Sequence, residues 1–213
     1  MKDGRSGKFA GFRAFFSVIW RNPMSRAGFL ILLVFLLMAI FGPMLIPDLK
    51  SDYANRLQPP SREHWLGTDL AGKDTLLQLI LGSRDVLLVA AYAGLFAVLI
   101  AAAIGIVAGL QGGLVDRVLM LFTDVVLTMP SFPVTMILSM VIQITDPLVF
   151  GLVLGLWSWA GLAKAIRSQV LTLKHREFIE ASRIMGISKL NIILYDVLPN
   201  LVSYIAVNFI SIM

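Results

Sequence analysis

Asp124 is a carboxylate inside a long apolar run, and this makes it a leading candidate for chemistry in the 213-residue chain. The run extends from Val118 to Ile142 and is also interrupted by Pro130 and Pro133. A charge at such a position must be paired, hydrated or neutralised, so two roles are open, a proton relay or a structural ion pair. Arg117 precedes Asp124 by seven residues, about 10 Å along a helix and on the same face, which favours the pair. Pro130 and Pro133 remove backbone donors and kink a helix. The freed carbonyls are tolerated at membrane depth where other helices or a hydrated cavity satisfy them, so this stretch is the pore-lining candidate.

Enzymatic groups are poorly supplied. His64 and His175 are far apart, and H-E-x-x-H, G-x-S-x-G and a pair of carboxylates within one span are all missing. The phosphate loop G-x-x-x-x-G-K-[ST] is missing too, so by that route the chain is not its own ATPase. Cysteine is absent, which excludes disulfides, thiolate metal sites and a cysteine nucleophile. No catalytic, cofactor-binding or metal-ligating residue is assigned, and energy must come from outside the chain.

The elements that position these residues are membrane spans. Hydrophobic residues make up 58% of the chain and charged residues 15%, and the mean hydropathy is +0.84. Soluble domains hold about 45–50% and 25% respectively. Ala27 to Ile46 is uncharged and is expected to cross once, as is Val86 to Leu110. Val118 to Ile142 forms a third span, and Leu148 to Ala163 a shorter fourth. Leu201 to Met213 begins a fifth, only about 20 Å long as a helix, and is expected to stop inside the membrane. The class is therefore an all-α polytopic membrane protein with four complete spans and a truncated fifth.

Lysine and arginine set the orientation. Residues 1–26 and 164–199 are rich in basic residues, whereas the basic residues of 47–85 are matched by acids. The positive-inside rule places the N-terminus and 164–199 in the cytoplasm and 47–85 outside. The net charge of +5 thus reports topology and lipid contact rather than nucleic acid. Lys8 to Trp20 has aromatic residues at helical spacing and is expected to lie flat in the inner interface. In the second span Ala97, Ala101, Gly105 and Gly109 recur every four residues, a smooth face suited to close helix packing.

The cytoplasmic segment reads as two short helices. Glu177 to Met185 is amphipathic, with Phe178, Ala181, Ile184 and Met185 on one side, and Gly186 ends it. Ser188 is expected to cap a second helix toward Asp196, with Pro199 marking its end. The polar face with Glu180, Arg183 and Lys189 suits a soluble partner.

Glu180-Ala181-Ser182, then Gly186, then Leu198-Pro199, closely resembles the cytoplasmic "EAA" loop of ABC-importer permeases. Further matches are Leu66-Gly67-Thr68-Asp69-Leu70-Ala71-Gly72-Lys73-Asp74, Gly82-Ser83-Arg84 and Arg21-Asn22-Pro23-Met24-Ser25. Gly113-Leu114-Val115-Asp116 and Asp124 through Met129-Pro130-Ser131 complete the pattern. Together they are similar to the C-type permease of dipeptide, oligopeptide and nickel importers. Two departures stand out, Ser182 where that family has Ala and Asp196 where it has an apolar residue.

The resemblance implies a type I importer fold, with residues 86–213 as an incomplete transmembrane domain and 164–199 as its coupling loop. It also implies a second permease, two ATPase subunits that use ATP-Mg, and an extracytoplasmic solute-binding protein, in a prokaryotic plasma or inner membrane. Glu180, Ala181, Ser182, Gly186, Leu198 and Pro199 would meet the ATPase. The family completes the fifth span and adds a sixth, so the chain is read as a fragment or a truncated product. Solute binding by the permease itself is expected to be weak, since no polar cluster is evident in the spans. The substrate is read as di- or oligopeptide, with nickel or oligosaccharide as alternatives. A stand-alone channel or assembly scaffold is the alternative of another class.

Overall fold

A computed structural model describes residues 20–46, 49–142, 146–188 and 191–213. It divides into two units, Met1–Asp85 and Val86–Met213. Apart from Trp20, the basic amphipathic segment Lys8 to Trp20 lies outside the described residues, as does Lys189.

In the first unit, helix α1 spans Pro23–Leu45. It starts where the sequence requires. The Asn22 side chain accepts from the Met24 N–H at 3.0 Å, and Pro23 occupies the first turn, where its missing N–H is no loss. Of its residues only Gly42 is buried, so the apolar surface of α1 from Ala27 onward is left for lipid. A short 3₁₀ turn, Tyr53–Asn55, follows.

The segment from Leu66 to Asp74 folds into a hydrogen-bonded knot that gives most of its residues a structural duty. Thr68 accepts from the Gln58 N–H at 2.8 Å and donates to the Asn55 carbonyl at 2.5 Å. Asp69 accepts from the backbone N–H of Ala71 (2.8 Å) and Lys73 (2.9 Å) and from the Gln78 amide (2.9 Å). Asp74 caps the next helix by accepting from the Leu77 N–H at 3.0 Å, and its other oxygen is 2.9 Å from His64 Nδ1. Gly72 has φ +75°, and a Cβ there would lie 1.7 Å from the Asp52 carbonyl oxygen, so the close approach requires glycine.

Both carboxyls are held below the usual carboxylate range. For Asp69 the main cause is the Lys73 backbone N–H, helped by Gln78 and Ala71. For Asp74 burial pushes upward but is outweighed by the bonds from His64, Leu77 and Leu76. A depressed folded value means that the contribution is complete above the ordinary value of 3.8 and lost as pH falls through the folded one. Hydrogen exchange at the Ala71, Lys73 and Leu77 amides, corrected for intrinsic rates, should therefore show level protection from about pH 7 to 4 and a fall only below that. A loss already complete at neutral pH would contradict this account.

Helix α2, Thr75–Gln111, leads into the second unit. A two-glycine turn at Gly112 and Gly113 leads to α3, Gly113–Thr128, followed by α4, Ser131–Ile142. Helix α5 spans Pro147–Leu173, capped by the Asp146 side chain, which accepts from the Leu148 N–H at 2.7 Å. Helix α6 is Glu177–Ile184; a π-helical turn, Ile192–Val197, runs directly into α7, Leu198–Ile212.

The core is the seam between α2 and α5. Ala97, Ala101, Ala160, Ala163, Ile166 and Val170 are fully buried. Cβ atoms at Gly151 and Gly155 would meet Val89 O at 2.8 Å and Ala93 O at 2.9 Å, while Gly105 and Gly109 face Ala163 O at 2.6 Å and Val170 Cγ1 at 2.7 Å. Residue numbers rise together along this seam, so the two helices run parallel. The smooth face thus packs against a helix, and the close fit offsets the missing hydrophobic drive in lipid.

Four helices are long and apolar enough to cross a membrane among the described residues: Pro23–Leu45, Thr75–Gln111, Pro147–Leu173 and Ile192–Ile212. Gly113–Thr128 with Ser131–Met140 makes a fifth candidate, bent by 73°. The molecule is therefore an all-α, multi-pass membrane protein. The anticipated kink is a break at Pro130 alone. Pro133 sits in the first turn of α4, where no backbone donor is needed. The fourth span runs ten residues past Ala163, to Leu173. The last apolar helix begins at Ile192, well before Leu201, so Pro199 lies within it rather than closing a separate helix.

Candidate functional site

The segment between the fourth span and the last apolar helix is built around α6. Ile179 is fully buried and Ser182, three residues on, is 6% exposed, and this narrow stripe holds α6 against the rest of the unit. The remainder faces out. Phe178 is 43% exposed, Ile184 87% and Met185 69%, and Glu180 and Ala181 are also exposed. The expected apolar side (Phe178, Ala181, Ile184 and Met185) is therefore not the side packed on the chain. It forms an uncovered apolar surface beside the Glu180 carboxylate.

The end of α6 is shaped by Gly186. With φ +74°, it lets the Ile187 N–H reach back to the Ser182 carbonyl at 3.1 Å, the six-to-one bond that closes a helix with a left-handed residue. A Cβ at Gly186 would meet nothing within 4 Å, so backbone conformation, not room, selects glycine there. Ser188 caps the next helix as its type suggests, accepting from the Asn191 N–H at 3.3 Å through its hydroxyl and from the Ile192 N–H at 3.0 Å through its carbonyl. That helix then continues instead of ending near Asp196. Pro199 has no N–H and its ring would strike the carbonyl four residues back, so the preceding turn widens and the Leu198 N–H bonds to Ile193 O. Leu198 packs against the core, and Pro199 is exposed.

The pairing of Asp124 with Arg117 is not what forms. Arg117 Nε donates to the Gly113 carbonyl of its own helix at 3.4 Å. Asp124 pairs with Lys164 of α5. A second bridge, bidentate and more buried, joins the same helices. Arg167 donates to Asp116 through two nitrogens, Nε at 2.5 Å and Nη2 at 2.6 Å. Asp116 and Arg167 side chains are 15% and 31% exposed, against 53% and 43% for Asp124 and Lys164. The partner of Asp124 lies 40 residues away on a neighbouring helix, out of reach of spacing along one helix. The clue lies in Lys164 and Arg167, members of the basic run in 164–199 that the positive-inside rule uses for topology alone.

The spans also hold a polar cluster that single-helix reading passed over. Ser131, Thr135 and Ser139 recur every four residues on α4 and share a cavity with Ser158 and Trp157 of α5. Among the described residues no group of three or more His, Cys, Asp or Glu is placed to hold a metal ion.

The chain has matches among known proteins. Residues 101–213 match the family model described as binding-protein-dependent transport system inner membrane component. Residues 12–60 match the N-terminal TM domain of oligopeptide transport permease C. A dipeptide transport system permease protein of Bacillus subtilis is 34% identical over 88% of this chain and 59% of its own length. The oligopeptide transport system permease protein of the same organism is 30% identical over 87% of this chain and 61% of its own. That of Mycobacterium tuberculosis is 34% identical over 88% and 66%. The chain thus spans about three fifths to two thirds of the length of these relatives.

Proposed function

The chain belongs to the family of binding-protein-dependent transport system inner membrane components, and on that premise we propose that it is a permease subunit of an ATP-driven importer of di- or oligopeptides. It lines the path together with a second permease. Two ATPase subunits hydrolyse ATP-Mg in the cytoplasm, and an extracytoplasmic binding protein delivers solute. The names of the dipeptide and oligopeptide permeases it resembles support the substrate class.

The observation that carries the coupling role is the uncovered face of α6. An apolar surface of Ile184, Met185 and Phe178 with an acidic neighbour is costly to leave in water and suits a groove on a soluble partner. Glu180, Ala181 and Gly186 belong to this docking element, Gly186 by fixing its end. Ser182 serves it from beneath, and Leu198 and Pro199 anchor the helix that follows. ATP-driven closure of the ATPase pair would move α6 as a rigid lever, and the permease pair would rock between inward- and outward-facing states.

Because the chain has no native cysteine, the test is direct. In the full-length protein, Ile184→Cys should cross-link to an ATPase subunit carrying a single groove cysteine, while the inward-facing Ser182→Cys should not. Absence of the Ile184 cross-link in a complex that retains its ATPase would remove α6 from the docking role.

A further inference from the structure

Resting on that importer reading, we propose that the cavity between α4 and α5 is a solute-contact site on the permease itself, and that it takes the backbone amides of a short peptide in transit. The cavity holds about 410 Å³ and begins at Ser131, the first residue after the 73° break. Its polar lining is Ser131, Thr135, Ser139, Ser158 and Trp157, against walls that include Phe150.

The hydrogen bonds already made define what the cavity can still offer. Thr135 donates to the Ser131 carbonyl at 2.8 Å, Ser139 to the Thr135 carbonyl at 2.8 Å and Ser158 to the Leu154 carbonyl at 3.1 Å. Their protons are spent on their own helices, but each oxygen keeps an acceptor lone pair. The Trp157 indole N–H is shielded from solvent and has no hydrogen-bond partner among the described residues, an unmet donor that an occupant with a carbonyl would relieve once the ring turns it toward the cavity. A set of hydroxyl acceptors and one donor, with no charged side chain among the described lining residues, matches an amide, which presents one N–H and one C=O.

Other occupants fit less well. A nickel ion would look for imidazole, thiolate or carboxylate and finds none of these in the described lining. An anion finds no cation. An acyl chain would leave the Trp157 N–H unmet. Neutral hydrogen bonds to a main chain also ignore side-chain identity, and they are weak enough to release a molecule that must move on. Hydroxyls at positions i, i+4 and i+8 lie about 6 Å apart along α4, close to the roughly 6.6 Å between every second amide of an extended peptide.

The test uses the full-length permease assembled with its partner permease, ATPases and binding protein in liposomes, with tri-alanine as the transported probe. Thr135→Val removes a hydroxyl at nearly constant volume, and Trp157→Phe removes the N–H but keeps an aromatic ring. Each should raise the KM for tri-alanine by about three- to tenfold, the effect of losing one neutral hydrogen bond. Independently, Ser139→Cys should react with N-ethylmaleimide, and saturating tri-alanine during turnover should slow that reaction several-fold. Unchanged KM values with no protection would overturn the site. A thiol unreactive in every state would mark a permanently seated protein segment and overturn it equally. If the variants fail to assemble, thiol protection decides. A wild-type complex that takes up nickel or an oligosaccharide but no tri-alanine would instead overturn the peptide reading beneath it.

Discussion

Asp116→Leu is expected to destabilise the transmembrane unit by about 2–4 kcal/mol, whereas Asp124→Leu, 8 residues along the same helix, is expected to cost under about 1 kcal/mol. The difference follows from burial and geometry. Asp116 receives two parallel bonds from a guanidinium, and both side chains are mostly withdrawn from solvent. Removing the carboxylate strands the Arg167 charge between α3 and α5, and desolvation is then uncompensated. Lys164 and Asp124 are about half exposed, and the long lysine stem lets its ammonium swing toward polar surroundings, so less charge is stranded. Thermal unfolding of the detergent-solubilised protein, read by tryptophan fluorescence, measures both. Removing the charges together, Asp116→Leu with Arg167→Leu, should recover most of the loss, which distinguishes a stranded charge from a packing defect. Equal effects at Asp116 and Asp124, or no recovery in the double variant, would show that the bidentate bridge is not what joins these helices.

The same seam shows what was legible in the sequence. Hydropathy placed the spans, because a membrane imposes a length and a composition on each crossing independently of its neighbours. The small-residue face of Ala97 to Gly109 was legible as a packing face, and α5 supplies its partner through Ala163, Ile166 and Val170. The knot at Leu66 to Asp74 was recognised only by resemblance. Its logic lies in side chains bonding to backbone groups up to 13 residues away, which no periodicity reports. The partner of Asp124 and the hydroxyl cavity both arise from two helices meeting, so neither could be read from one. The end of the loop was misplaced for a local reason. A proline is ordinarily a stop, but here a π-helical turn absorbs it and the helix runs on from Ile192 to Ile212.

The outward turn of α6 leads to the other large effect. Ile184→Asp in the full-length protein should reduce solute-stimulated ATP hydrolysis by tenfold or more, with membrane insertion unchanged. Ile184 is 87% exposed, so its substitution leaves the fold of the chain near neutral. Burying an isoleucine in a partner's groove contributes about 1.5–3 kcal/mol, and an aspartate there would both forfeit that and carry a charge into an apolar contact. A loss of about 2 kcal/mol already weakens docking roughly thirtyfold. Gly186→Val should act more mildly and by another route. With open space around its Cβ, the penalty is the left-handed backbone alone, about 1–2 kcal/mol, spent on the end of α6 rather than on its face. Ile179→Asp is the contrasting control. Its side chain is fully buried, so it should detach α6 and expose the segment to protease even without an ATPase present. ATPase co-purification and stimulated hydrolysis separate the three. If Ile184→Asp retained full stimulation while Ile179→Asp alone abolished it, the surface of α6 would be a membrane-interface face and the ATPase would have to engage the permease elsewhere.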